Sequence, residues 1–388
     1  MDLELSPEQV MIVDGVRRFV REQIVPLETE LDPDADELPP DELSRLEAMV
    51  KDMGFYGLDI PEEFGGPGIS LVNRVLMAIE MSQHRAGLYA PCYRAFGGAG
   101  LAQLYEATDD QKVRYLYPAL RGEKHGFFGL TEPSGGSDPA RAIQTTAVKD
   151  GGDWILNGTK LYISGVDRAD FGIVFARTGD TAGRESITCF IVDTDMEGFF
   201  VRRIVHTLRN SHYATELQFD NVRVPEINVL GEVNKGFAIA NDRLVRQRIP
   251  YAAGCIGVAV RAQEMAIDWA KNRDTFGAPL STRQAIQWMI VDNEIDIREA
   301  RWLTLEAAAK ADRGQPFKAE AAMAKLVATE AAGRVVDRSM QIHGGAGMTK
   351  DLPLERWYRE LRIRRVGEGA SEIQRIILAR ELLGGSFK

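Results

Sequence analysis

The chain has 388 residues, 45% hydrophobic and 27% charged, a composition expected of an ordinary soluble globular protein with ample sequence for a core. Its formal net charge of -10 argues against nonspecific binding to nucleic acid or to an anionic membrane. The three cysteines, Cys92, Cys189 and Cys255, are widely separated and carry no CxxC or clustered Cys/His spacing, so neither a disulfide framework nor a zinc site is indicated and a reducing compartment fits.

The N-terminus, Met1-Asp2-Leu3-Glu4-Leu5-Ser6, is acidic and has neither a signal core nor an Arg-rich transit segment. No apolar run approaches a membrane span, so a cytoplasmic protein is expected. Ser6-Pro7-Glu8-Gln9 reads as a capping box with proline at the first helical position, followed by Val10, Val13, Val16, Phe19, Val20 and Ile24 on one face. Pro39 and Pro40 open a second helix bearing Leu43, Leu46, Met49 and Val50. The Pro61–Gly68 stretch, dense in proline and glycine, reads as a loop.

From about His125 the period becomes two. Asn157-Gly158 between Trp154–Leu156 and Lys160–Ile163 predicts a hairpin turn. Phe171–Phe175, Ile187–Val192 and Leu217–Val224 predict further strands, with no helix-length pattern between them. After about Phe237 three long amphipathic segments, near 237–272, 283–312 and 317–342, predict an antiparallel bundle. The expected fold class is α+β. It comprises an N-terminal all-α domain over 1–122, a middle antiparallel β-domain over 123–236, and a C-terminal four-helix-bundle-like domain over 237–388.

Six constellations stand out. The loop Thr131-Glu132-Pro133-Ser134-Gly135-Gly136-Ser137-Asp138-Pro139 offers hydroxyls and backbone N–H groups to a polar cofactor ring or a phosphate, or is a surface turn. It is no P-loop, and the chain has no strand–GxGxxG–helix unit. Tyr162 and Ser164, two apart on one strand, could set a ring and a hydroxyl against a planar cofactor, or the tyrosine could be an ordinary core residue. Arg273, Phe276 and Gln284 surround a Gly-Pro turn, and Gln341–Gly347, with His343, reads equally as a plain helix end. The arginines 362, 364 and 365 read as a salt-bridged face or as a contact for an anion. Finally, Glu368 lies between Gly367 and Gly369, ahead of a helix predicted to begin with a Ser371/Gln374 capping box and an apolar face of Ile373, Ile376 and Ile377. That placement gives a carboxylate the access a proton-abstracting base needs, or marks a plain loop glutamate that favours the helix dipole.

Six motifs in order resemble the acyl-CoA dehydrogenase family across almost the whole chain: P-E-E-F-G-G-P-G at 61–68, F-G-L-T-E-P-S-G-G-S-D at 128–138, L-N-G-T-K-L-Y-I-S at 156–164, R-D-T-F-G-A-P-L at 273–280, Q-I-H-G-G-A-G-M at 341–348 and G-E-G-A-S-E-I-Q-R at 367–375. The resemblance implies FAD between the β-domain and the C-terminal bundle, usually in a homotetramer. Leu130, Thr131 and Ser137 match the loop at the flavin and the substrate. Tyr162 stands where the family usually has tryptophan against the ring, and Ser164 matches the hydroxyl near flavin N5. Arg273, Phe276 and Gln284 match residues reaching FAD partly across a subunit interface, and Gln341 and Gly345 match an adenine-side contact. Ala370 and Glu372 fall at further cofactor positions, and Ser137, Arg248 and Gly369 at substrate positions.

The activity implied is α,β-dehydrogenation of an acyl-CoA thioester to the trans-2-enoyl-CoA. Glu368 takes the α-proton, the β-hydrogen leaves as hydride to flavin N5, and electrons pass to an electron-transfer flavoprotein. In relatives the thioester carbonyl accepts hydrogen bonds from the base's own N–H and a ribityl hydroxyl, which stabilises the enolate as it forms. Some relatives carry the base one residue before the helix arginine. Here that residue is Gln247, which cannot accept a proton, so Glu368 has no rival. Three departures bear on substrate identity: Ala370 replaces the usual threonine, Val245 an aspartate at the CoA portion, and the loop Thr207–Tyr213 lacks its glycine. Arg85 and Arg94 could meet an acidic acyl end or be structural. The alternatives are an acyl-CoA oxidase, another flavin-dependent elimination on the same scaffold, or a flavin-binding member without dehydrogenation.

Overall fold

A computed structural model describes residues 4–98, 101–181, 183–210 and 214–385; Met1–Leu3 and the second half of the 207–213 loop lie outside the described residues. The chain divides into two compact units, Met1–Gly97 with Val245–Lys388, and Gly98–Leu244.

The first unit is helical. Helix Pro7–Phe19 begins with the expected capping box: Ser6 Oγ accepts from Gln9 N and Gln9 Oε1 accepts from Ser6 N. Its apolar face, Val13, Val16 and Phe19, is buried. Phe19 meets Phe96 edge-on at 5.5 Å, in a core shared with Leu46 and Val50 of helix Pro40–Asp52 and Met77 of helix Leu71–Met81. Helices Gln284–Asp312 and Lys318–His343, with the Val245–Asn272 part of helix Gly236–Asn272, form the expected bundle. Its core is rich in alanine, including Ala252, Ala259, Ala307, Ala321, Ala324, Ala328 and Ala332, so the axes approach closely. A Cβ at Gly257 would stand 2.2 Å from the Ile79 carbonyl oxygen, so helix Leu71–Met81 packs on this glycine and excludes any larger residue. Helix Leu354–Arg364 is anchored by Trp357, fully buried, whose Nε1 donates to Arg85 O at 3.1 Å.

Among the described residues, the second unit is built on one sheet of eight strands: β1 (Gly126–Gly129), β2 (Thr146–Asp150), β3 (Asp153–Ser164), β4 (Phe171–Arg177), β5 (Ile187–Asp193), β6 (Phe199–Val205), β7 (Ala214–Pro225) and β8 (Val229–Leu230). The order is β6-β7-β3-β2-β4-β5-β8, with β1 beside β4. Pairing is antiparallel except for β1–β4 and the single pair Thr146↔Arg177 between β2 and β4.

One turn is corrected. Asn157-Gly158 does not reverse the chain; β3 runs straight through it with a bulge in its register to β7, and the reversal is at Gly151-Gly152, between the paired Asp150 and Asp153. Asn157 uses its side chain across the bulge, where Oδ1 accepts from Asn221 N at 2.9 Å. Gly158 is demanded by approach, since a Cβ there would fall 2.4 Å from Thr145 Oγ1.

Candidate functional site

The Glu368 turn is tightly constrained by its backbone and its neighbours. Helix Leu354–Arg364 ends with Val366 N and Gly367 N both donating to Ile363 O, at 2.9 and 3.0 Å. Glu368 then takes φ 53° and Gly369 φ 88°, two successive left-handed residues, of which only the glycine adopts this without strain. Gly367 is small for a reason: a Cβ on it would meet the Tyr251 hydroxyl at 2.5 Å. Glu368 is half-buried.

The expected capping box at the next helix is absent. Helix Ser371–Leu382 starts at Ser371, so that residue is inside the helix and Ala370 is the N-cap. The Ser371 hydroxyl instead donates to Glu330 Oε1 at 2.7 Å, and Gln374 Nε2 donates back to the carbonyls of Gly369 at 2.8 Å and Glu368 at 3.3 Å. The buried residues of this helix are Ser371 and Gln374, while Ile376 is 44% exposed, so its predicted apolar face is not core within the chain. Glu372 is exposed.

Helix Lys318–His343 lies under the turn. Glu330 Oε2 pairs with Arg365 Nη2 at 2.6 Å, and the fully buried Lys325 donates from Nζ to Gly369 O at 2.9 Å and Arg365 O at 3.3 Å. Beside it, Arg248 is buried, with Nε and Nη1 hydrogen-bonded to nothing among the described residues. Burial pushes its guanidinium below the ordinary arginine range, and the Glu368 charge opposes that shift. Arg364 is also buried and stacks between the rings of Tyr89 and Tyr251, at 4.2 and 4.0 Å, with Nη2 donating to Leu88 O. Of the predicted arginine cluster, then, one member is a buried stacked cation, Arg365 is salt-bridged and Arg362 is exposed. Arg85 and Arg94 donate to the backbone carbonyls of Asp351 and Asp36. His343 is structural: it is buried, its Nδ1 lies 2.7 Å from Ser339 O and its ring 5.0 Å from Trp269.

The remaining predicted residues of this unit are exposed in the single chain. Phe276-Gly277 forms the two-residue turn of a tight hairpin, Asp274–Thr275 against Ala278–Pro279, with φ of 52° and 77°. The Phe276 ring is 99% exposed and carried on a turn that Arg283 braces from Nη2 to Thr275 O at 2.6 Å. Arg273 and Gln284 flank this hairpin and are exposed. Gln341 and Gly345 are exposed at the far end of helix Lys318–His343, roughly 24 Å along its axis from Lys325.

In the sheet unit, the 131–139 loop is tied down by one buried pair. Lys160 Nζ contacts Glu132 Oε1 at 2.7 Å and Phe175 O at 2.6 Å, and the Glu132 carboxylate accepts from Gln144 N and Thr145 N. Leu161 N donates to Thr131 O at 2.9 Å, which joins the loop to β3. Leu130 is buried beneath; Ser137 is exposed and Thr131 half-exposed. Tyr162 sits at a second bulge of β3 with φ 60° and is 60% exposed, with Ser164 exposed two residues on. An outward ring, a nearby hydroxyl and an adjacent hydroxyl-rich loop are a donor set that suits a planar polar cofactor such as a flavin.

Matches to known proteins agree with this layout. Three successive segments match acyl-CoA dehydrogenase domains: N-terminal at 6–123, middle at 127–222 and C-terminal at 234–383. The chain belongs to the acyl-CoA dehydrogenase family. It is 38% identical over 387 residues to an acyl-CoA dehydrogenase of Bacillus subtilis (strain 168), covering 99% of this chain and 100% of that one. Among solved structures it is similar to butyryl-CoA dehydrogenase from Megasphaera elsdenii, at 32% identity and TM-score 0.86, over 99% of this chain and 100% of that one. It is also similar to the FAD complex of PigA, at 26% identity and TM-score 0.86, over 99% of this chain and 100% of that one. Members of the family are flavin-dependent oxidoreductases, and this chain is one of them.

Sequence reasoning missed Lys325, Glu330 and Tyr251. A signal for Lys325 was present: it is the one lysine on a helix stripe otherwise made of Ala321, Ala324 and Ala328.

Proposed function

We propose that the protein dehydrogenates an acyl-CoA thioester to the trans-2-enoyl-CoA, with Glu368 as the base that removes the α-proton. The observation that carries this reading is the turn itself: a half-buried carboxylate at φ 53° between two glycines, its own carbonyl and the next one held by Gln374. The backbone fixes the point from which this side chain leaves the turn, which restricts the positions its carboxylate can reach. The half-buried amide of Gln247, beside Arg248, supplies no competing base.

FAD, when bound, supplies the acceptor for the β-hydride. Leu130, Thr131, Ser137, Tyr162 and Ser164 would be among the residues that hold it, as would Arg273, Phe276, Gln284, Gln341, Gly345, Ala370 and Glu372. Ser137, Arg248 and Gly369 would line the acyl-CoA. Nε and Nη1 of Arg248, hydrogen-bonded to nothing among the described residues, suit an oxygen of the thioester as charge develops on it. Electrons would leave to an electron-transfer flavoprotein.

Functional division of the chain at 1–122, 123–236 and 237–388, a homotetramer, and a cytoplasmic location belong to the same proposal. No helix among the described residues is long and apolar enough to cross a membrane. Anaerobic titration with acyl-CoAs of varied length, branching and terminal charge tests the reading. One of them bleaches the wild-type flavin, and Glu368→Gln keeps its FAD but does not bleach. Bleaching by the variant at the wild-type rate would remove Glu368 from the mechanism.

A further inference from the structure

Lys325 has no place in the reaction as described, yet a lysine with no exposed surface is costly to keep in a helical core. The surrounding helix positions are alanines, Ala321, Ala322, Ala324 and Ala328, all fully buried. The ammonium is directed at the turn that bears Glu368, donating to Gly369 O at 2.9 Å and Arg365 O at 3.3 Å. These two carbonyls bracket the left-handed pair Glu368-Gly369, one before it and one within it.

Neither carbonyl depends on the lysine for satisfaction. Arg365 O also accepts from Ser371 N at 3.1 Å, and Gly369 O from Gln374 Nε2 at 2.8 Å. The contribution of Lys325 is therefore a second, charged tether on a strained turn rather than the rescue of an orphaned acceptor.

We propose that Lys325 is a positioning residue for Glu368: its ammonium grips the carbonyls of Arg365 and Gly369 and so fixes the direction of the carboxylate between them. This rests on the reading of Glu368 as the α-proton base. The groups facing the ammonium are Arg248, Tyr251 and Cys255 of helix Gly236–Asn272, Glu330 of its own helix and Glu368 above it. Burial, with Arg248 adding repulsion, brings the ammonium down to about 8, while Cys255, Glu368 and Glu330 oppose the shift. The tether thus loses its charge just above neutrality, and the rate falls on the alkaline side near pH 8.

Lys325→Met and Lys325→Arg in the FAD-loaded enzyme provide the test, with two readouts. One is hydrogen exchange of the segment 365–371; the other is the limiting rate of flavin bleaching, with the substrate affinity, against pH, using the acyl-CoA that bleaches the wild type best. Lys325→Met is expected to speed exchange in 365–371 alone. It lowers the limiting bleaching rate by about 100-fold with little change in substrate affinity, and abolishes the inflection near pH 8. Lys325→Arg, which stays charged, keeps most of the rate and moves the alkaline fall upward. A merely structural lysine would change stability and leave the shape of the pH profile alone. Unchanged exchange in Lys325→Met, or a wild-type pH profile, overturns the proposal. Wild-type bleaching in Glu368→Gln would instead sink the base assignment, and faster exchange in Lys325→Met would then leave only the tether on the turn standing.

Discussion

Lys160 and Glu132 form an ion pair with both side chains almost wholly out of water, Nζ to Oε1 at 2.7 Å, and through it the hydroxyl-rich loop is fastened to the central strand β3. Burial pushes the Lys160 ammonium below its usual range while the Glu132 charge opposes that. The carboxylate also holds the amides of Gln144 and Thr145, so one group organises both ends of the loop.

Breaking this pair from the lysine side strands a buried carboxylate. Lys160→Met is expected to cost about 3–5 kcal/mol, whereas Lys160→Met with Glu132→Gln costs less than the single change, because no uncompensated charge remains. Urea unfolding of the three proteins at pH 7 checks this. A double variant less stable than Lys160→Met would mean that the pair acts through something other than its charge.

Gly158 gives a prediction of a different kind. A Cβ there falls 2.4 Å from Thr145 Oγ1 and 2.6 Å from Thr145 Cα, at φ 153°. Gly158→Ala must shift β3 or the Thr145 strand entry, and is expected to destabilise by roughly 2–4 kcal/mol. Gly151→Ala meets nothing within 4 Å and at φ 62° carries only the left-handed penalty of about 1 kcal/mol. Thermal unfolding of the two variants should rank them in that order. The reverse ranking would restore the turn to Asn157-Gly158.

That pair also shows where the sequence was legible. Helix starts written in local chemistry, such as Ser6-Pro7-Glu8-Gln9, came through because the cap is made by residues within one turn. Asn157-Gly158 and Ser371/Gln374 carry the same kind of local signal and are used otherwise, because a distant partner competes for them: Thr145 and Asn221 in one case, Glu330 in the other. The Glu368 turn was visible from its glycines. Its support was not, since Lys325 lies 43 positions earlier and its direction depends on how two helices pack.

Helix Gln284–Asp312 leaves Trp288, Val291, Ile295 and Trp302 exposed by 61, 54, 50 and 43%. Their spacing of three, four and seven puts them on one stripe, an apolar face that a second copy of the chain would cover in the proposed tetramer. Trp288→Glu would place a charge in that contact. Light scattering after gel filtration is expected to show a lower mass for the variant at micromolar concentration, and an unchanged mass would assign the stripe no role in assembly.

The last prediction separates what Lys325 does for stability from what it does for the turn. Its folded value of about 8 lies below the ordinary 10.5, so between these limits the unfolded chain binds more protons than the folded one. Stability contributed at this position therefore rises with pH across that window and is lowest below pH 8, where the ammonium is charged in both states. The buried charge is a net cost near neutrality, on the order of 3 kcal/mol relative to a solvated lysine. Lys325→Met should then be at least as stable as wild type at pH 7, with its advantage shrinking towards pH 10.5, in unfolding curves of the FAD-loaded protein. A variant that is more stable yet bleaches more slowly is what a charge retained for geometry rather than for folding produces. A Lys325→Met protein less stable than wild type at pH 7 would instead make the ammonium a structural tie whose two hydrogen bonds outweigh its burial.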